Sequence, residues 1–213
     1  MKMEIPGRQE FHERAAPFVV GLGGTLRSGS TSERALRSVL ESAARLGART
    51  KVFVGSDLAL PLYNPESSDR SDPAKKLVSA LRTADAIVIS TPGYHGSISG
   101  LVKNAIDYAE DLKHDERVYF SHRPVGCIVA AAGWQSVGST LSAMRSIVHA
   151  LRGWPTPFGI GINSRESVVK PNDQMFEIMA KELIEFRQVG LARKADLHGS
   201  NSVDADLISA SGR

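Results

Sequence analysis

Apolar residues along this chain follow two alternating patterns. Short continuous runs bounded by Gly or Pro cover Phe18–Leu22, Thr50–Val54, Ala86–Ser90, Val125–Ala131 and, less regularly, Thr156–Ile162. Continuous apolarity over so few residues predicts strands buried on both faces, as in a parallel sheet. Between the runs, apolar positions recur at helical spacing. Residues 32–46 place Ala35, Leu36, Val39, Leu40, Ala43 and Leu46 on one face, and Gly47 gives a stop signal. Pro73 opens a second predicted helix through Arg82, with Leu77, Val78 and Leu81 facing inward. Further helices are predicted over 98–110, 139–151 and 172–192. The last carries Met175, Phe176, Met179, Leu183 and Phe186 on one stripe.

Strands alternating with helices in this way predict an α/β domain, its parallel sheet covered by helices on both faces. The chain has no internal repeat and no low-complexity divider. The reading is one domain over 18–195, an N-terminal extension over 1–17 and a tail over 196–213, the two ends polar or small-residue rich. In such a sheet a ligand sits outside the carboxyl ends of the strands, where strand order reverses. Function is therefore expected just after strands one, three and four.

Composition narrows the class without naming a chemistry. Of 213 residues, 42% are hydrophobic and 23% charged, as in an ordinary globular protein. A single cysteine, Cys127, excludes an internal disulfide framework, and its apolar setting PVGCIVAAA predicts a buried small hydrophobe rather than a reactive thiol. No run reaches the ~20 apolar residues needed to cross a bilayer. The charged start MKMEIPGRQEFHERAAP lacks the apolar middle of a signal peptide, so a cytoplasmic location is expected. The 26 basic and 23 acidic residues are scattered, which argues against nucleic-acid binding. His12, His114, His122, His149 and His198 show no metal-ligand spacing, and no metal is expected.

The loop after the first strand, Gly23 to Ser32, consists mostly of Ser, Thr and Gly around Arg27 and leads into a helix. Hydroxyls and free N–H groups at a helix N-terminus suit a phosphate, and Arg27 can add charge-assisted hydrogen bonds. The alternative is a flexible turn ending in a Ser or Thr cap. A Walker A loop is excluded, because Ser30 and Thr31 follow Gly29 with no Lys. The dinucleotide fingerprint is excluded too, since Leu26 stands where its third Gly belongs. A single terminal phosphate fits better than a pyrophosphate. After strand three, Ser90 to Gly100 carries Pro92, Gly93 and Gly96, which allow close approach to a flat ligand, with Tyr94 beside them. After strand four, Ala132 to Ser139 sets small residues around Trp134, and Gln135 offers both donor and acceptor. Trp134 reads equally well as a core or interface anchor.

Three segments carry a family resemblance: GTLRSGSTSERAL (24–36), DLALPLYNPE (57–66) and TPGYHGSISGLVKNAIDY (91–108). Through them the chain, from about Phe18 to Ile162, resembles the NADPH-dependent FMN reductases. The resemblance implies a flavodoxin-like three-layer sandwich with a five-stranded parallel sheet in the order 2-1-3-4-5. It implies that Thr25, Arg27, Ser30, Thr31 and Ser32 surround the FMN phosphate. Pro92, Gly93, Tyr94, His95, Gly96 and Ser97 would line the isoalloxazine, with Gly133, Trp134 and Gln135 near it. It also implies a homodimer or homotetramer in which a neighbour helps cover the flavin. Two positions depart from the family pattern: His95 stands where relatives often have Asn or Lys, and Trp134 where others have a second Gly. Lys103, Asn104 and Asp107 read as a solvated charge and backbone-fixing groups.

The expected activity is hydride transfer from NADPH or NADH to FMN, which then passes electrons to a small-molecule acceptor or a partner monooxygenase. The cofactor does the chemistry, so no catalytic side chain is required. A quinone, azo-dye or chromate reductase with tightly held FMN is the nearest alternative, and a non-enzymatic electron carrier the next. A pI near 9.1 argues against the carrier, which usually presents an acidic face.

Overall fold

The computed structural model describes residues 15–166 and 168–187. Its central sheet begins with β1 (Phe18–Gly23), β2 (Arg49–Val54), β3 (Ala86–Tyr94) and β5 (Pro124–Ala131). β1 lies between β2 and β3, β3 lies between β1 and β5, and all three pairings are parallel. The full order is β2-β1-β3-β5-β6, where β6 is Trp154–Pro155, with β4 (Ser97–Ile98) on β3 and β7 (Ile160–Asn163) on β5. The helices are α1 (Thr31–Arg45), α2 (Asp72–Thr83), α3 (Gly100–Asp107), α4 (Trp134–Ala150) and a final helix, α5, over residues 174–187.

Strand alternation divides the core between the two faces of the sheet. Val20, Leu22, Ile87, Ile89, Val125, Cys127 and Val129 face α2, α3 and α4, which bury Leu77, Leu81, Val102, Ile106, Met144 and Val148 against them. Val19, Val88, Ile128 and Ala130 face α1 and α5, which contribute Leu36, Val39, Leu40, Phe176, Met179 and Leu183. This is the expected flavodoxin-like three-layer sandwich. The expected strand order also holds once the short extra strand β4 is set aside.

Several boundaries differ from the sequence reading. The expected fifth strand is two short pieces, β6 (Trp154–Pro155) and β7, both pairing with β5. Pro155 and Pro157 lack the N–H that a continuous ladder needs. Between the pieces Arg145 on α4 donates to the carbonyls of Thr156 at 3.0 Å and Pro157 at 2.9 Å. Strand three does not stop at Ser90 but runs on through Tyr94. The expected helix over 98–110 is α3 followed by a 3₁₀ turn, Tyr108–Leu112. α4 starts five residues before the expected Ser139, so Trp134 and Gln135 belong to a helix and not to a loop. The tail assigned to 196–213, the end of the helix expected to reach 192 and the first 14 residues of the extension lie outside the described residues.

Candidate active site

The carboxyl ends of β1, β3 and β5 stand side by side, so the three loops singled out from sequence share one edge of the sheet. The first loop is fastened to its neighbour. Gly24 N–H donates to the Ser90 carbonyl at 3.0 Å, and Ser90 Oγ donates to the Ser32 carbonyl at 2.8 Å. Gly23 has φ +149°, and a Cβ there would stand 1.9 Å from the Ser90 carbonyl oxygen. Only glycine allows the first loop to leave the sheet so close to strand three.

Within this loop Thr25 Oγ1 accepts from Arg27 N–H at 3.1 Å and donates to the Arg27 carbonyl at 3.2 Å, closing a tight turn. That turn holds the Arg27 side chain outward, where its guanidinium has no hydrogen-bond or ion-pair partner among the described residues. Ser30 caps α1, its Oγ accepting from Glu33 N–H at 3.3 Å and lying 3.4 Å from Ser32 Oγ. Ser30 and Ser32 are buried and Thr31 is half-buried at the start of the helix.

The second loop is a β-hairpin. Tyr94 pairs with Ser97 and Gly93 with Ile98, antiparallel, so only His95 and Gly96 remain in the turn. Both have positive φ, +52° and +82°. This is the two-residue turn whose handedness suits the twist of the flanking strands. Thr91 Oγ1 accepts Ser99 N–H at 3.0 Å, and Ser99 Oγ accepts Val102 N–H at 3.3 Å, so strand three sets the start of α3. Pro92 is buried in register with Ala130 on β5, while Tyr94, His95 and Ser97 are exposed. Gly93 packs under α4: a Cβ there would lie 2.9 Å from Ala131 Cβ and 3.0 Å from Thr140 Oγ1. Ser136 Oγ donates to the Gly93 carbonyl at 3.3 Å.

These two loops form a groove of about 570 Å³ lined by Thr25, Leu26, Arg27 and Tyr94, with Ser99, Gly100 and Leu101 from the start of α3. Leu26 is 66% exposed and Tyr94 55%, so large apolar surfaces face an open groove beside an unpaired cation. That combination suits a flat ring joined to an anionic group.

The third loop contributes differently. Gly133 leaves open space around its Cα, and Gln135 is exposed. Trp134, however, turns toward β7: its Nε1 donates to Glu166 Oε2 at 2.9 Å, and Asn163 Nδ2 donates to Glu166 Oε1 at 2.7 Å. There it lines a second cavity of about 360 Å³ with Ile162, Val169, Met175 and Phe176. The structure thus brings Thr25, Arg27 and Tyr94 together in one groove, and Trp134 is not among its lining residues. Sequence reasoning did not single out Leu26 and Leu101 in the groove, or Glu33 beneath the first loop. The Ser30-x-x-Glu33 spacing of a capping box was the available signal for Glu33.

Burial pushes the Cys127 thiol up to about 12, away from any nucleophilic role at neutral pH. No cluster of three or more His, Cys, Asp or Glu suited to a metal occurs among the described residues, and none of their helices is long and apolar enough to cross a membrane.

Residues 17–164 match the family model described as NADPH-dependent FMN reductase. An NADPH azoreductase of Bacillus sp. (strain OY1-2) is 36% identical over 88 residues, covering 41% of this chain and 46% of the relative. The chain thus matches about half the length of that enzyme. An NAD(P)H-dependent FMN reductase of Pseudomonas aeruginosa is 27% identical over 170 residues, covering 78% of this chain and 89% of the relative. Among solved structures, the flavoenzyme NAD(P)H:(acceptor) oxidoreductase FerB from Paracoccus denitrificans matches with a TM-score of 0.59 at 21% identity, covering 81% of this chain and 96% of that one. That likeness supports the fold.

Proposed function

This chain belongs to the NADPH-dependent FMN reductase family, and we propose that it binds FMN in the groove between its first two loops and reduces it with NADPH or NADH. The observation that carries the reading is the pairing of the unpartnered Arg27 guanidinium with the exposed faces of Leu26 and Tyr94 in one groove. The residues fit the cofactor's two chemistries, a phosphate and a flat ring.

When bound, FMN supplies the ring that accepts a hydride and passes electrons on. The protein's task is to hold and shape the site. Arg27, with the hydroxyls of Thr25, Ser30, Thr31 and Ser32 nearby in the loop, grips the phosphate. Pro92, Gly93, Tyr94, His95, Gly96 and Ser97 border the ring, the hairpin pinned from below by Ser136 and Thr91. Gly133 and Gln135 border it from the third loop. No side chain needs to move a proton, and the rate rests on holding donor and ring within near-attack distance. The electron acceptor in this reading is a small aromatic molecule, such as a quinone or an azo compound, rather than a dedicated monooxygenase. The openness of the apolar wall formed by Leu26, Tyr94 and Leu101 supports this choice. A homodimer or homotetramer is part of the same reading, as the family resemblance implies, and the mass of the purified chain in solution tests it.

The test is a visible spectrum of the purified protein supplemented with FMN, recorded without oxygen while NADPH and then NADH are added. Rapid bleaching supports the reading, and the two rates give the nucleotide preference. Binding without bleaching would make the protein an electron carrier. Absence of flavin binding would overturn the proposal.

A further inference from the structure

Glu33 stands three residues after the Ser30 cap, and its carboxylate turns back into the loop that precedes α1. Oε2 accepts Gly29 N–H at 2.9 Å, and Oε1 accepts from Arg37, with Nε and one terminal nitrogen each at 2.9 Å. The side chain is 8% exposed, against 46% for that of Arg37. At the other end of the loop, Glu33 Cβ lies 3.2 Å from where a Cβ on Gly24 would stand. Glu33 thus touches both ends of the segment from Gly24 to Ser30. It is also the one carboxylate residue in the buried class among the described residues.

The position has a direct electrostatic meaning. The N-terminus of a helix attracts an anion through its dipole and its free N–H groups. Here the chain's own carboxylate already answers part of that attraction and occupies one loop N–H. A phosphate monoester entering the loop meets a partly compensated dipole and a like charge held out of water, where screening is weak. Arg37 offsets Glu33 from the far side, which leaves Arg27 as the unpaired cation of the loop.

We infer that Glu33 sets how strongly this loop holds a phosphate monoester, weakening its grip so that FMN exchanges with solution. The inference rests on the reading that the first loop receives the FMN phosphate. It concerns this chain's own loop and makes FMN a cofactor that still passes its electrons on in the groove but exchanges with free FMN between turnovers.

The experiment is a pair of fluorescence titrations, with FMN and with riboflavin, which lacks the phosphate. They are run on the full-length chain, on Glu33→Gln and on Arg37→Met. Glu33→Gln removes the charge and keeps an oxygen for Gly29 N–H; it should tighten FMN binding about tenfold or more and leave riboflavin unchanged. Arg37→Met, at a half-exposed position, should loosen FMN several-fold and again spare riboflavin. If Glu33→Gln leaves FMN affinity unchanged or weakens it, Glu33 is a brace that preforms the loop, and the inference falls. Parallel shifts for both flavins overturn it as well. If the unaltered chain binds neither flavin, the functional reading fails first and the inference goes with it.

Discussion

Asn104 on α3 holds the backbone of Tyr63, 41 residues earlier in the chain. Its Oδ1 accepts Tyr63 N–H at 2.9 Å, while its Nδ2 donates to the carbonyls of Leu60 at 3.2 Å and Pro61 at 3.0 Å. Tyr108, one turn further on, donates its hydroxyl to the same Pro61 carbonyl at 2.9 Å. Two segments of the family resemblance, 57–66 and 91–108, are therefore one physical unit: the helix supplies the hydrogen bonds that an irregular loop cannot make for itself. Asn104→Ala should cost about 1–3 kcal/mol in urea unfolding, because it strips partners from partly buried backbone groups. Asn104→Asp keeps the acceptor, loses both donations and should fall between. An unchanged midpoint in Asn104→Ala would show that the loop is held elsewhere.

The same loop is anchored by a charge pair whose pH dependence can be read. Arg70 grips Asp111 with two hydrogen bonds of 2.8 Å and lies over the rings of Tyr63 and Tyr108 at 4.8 and 5.6 Å. The hydrogen bonds from Arg70 hold the Asp111 carboxyl below its ordinary value, against the opposing pull of desolvation. A carboxylate with a depressed folded pKa contributes fully above its unfolded value, about 3.9, and loses that contribution as pH falls through the folded value. Asp111→Asn should therefore melt below the unaltered protein at neutral pH, with the gap closing below about pH 4. Melting temperatures recorded across that range decide it, and a gap independent of pH would remove Asp111 as its source.

The sheet was legible because its strands are buried on both faces, so Phe18–Leu22, Ala86–Ser90 and Val125–Ala131 read as unbroken apolar runs. The start of α4 is not legible in the sequence, for a local reason. Its cap, Gly133, is extended and offers no side chain, and Gly138 breaks the apolar pattern in the second turn, so the helix start carries none of the usual signals. The hairpin at Tyr94–Ser97 was hidden because His-Gly is not among the common turn pairs. At the site, the edge of the sheet could be located, since topology dictates it. What could not be read was which way Trp134 turns, because its partner Glu166 lies 32 residues away and no local pattern joins them.

His95 occupies its position through backbone geometry. At φ +52° it sits in the left-handed region, which His, Asn and Asp enter far more readily than β-branched residues. His95→Asn should leave urea stability unchanged or slightly raised, whereas His95→Val should cost about 1–2 kcal/mol. Equal stability for the two variants would mean that the turn relaxes out of this conformation. The Asn variant also separates backbone from chemistry: flavin reduction should survive it, because the imidazole is given no role in proton transfer.

Cys127 lies on β5 at 1% exposure. The folded protein should not react with an aromatic disulfide reagent, and one thiol per chain should appear on unfolding. Rapid labelling of the native chain would contradict the packing of the sheet against α4.

Arg27 gives the most direct check on the groove. Its guanidinium makes no hydrogen bond or ion pair within the described chain, so removing it should leave the urea midpoint where it was. Arg27→Ala should nevertheless weaken FMN binding by about 10- to 100-fold, the worth of a charged hydrogen bond of about 1.5–3 kcal/mol. Riboflavin should be held as before. Arg27→Lys keeps the charge but loses the planar fork that meets two phosphate oxygens at once, and should recover only part of the affinity. If Arg27→Ala binds FMN as tightly as the unaltered chain, the phosphate lies elsewhere, and the groove bounded by Leu26 and Tyr94 receives only the ring.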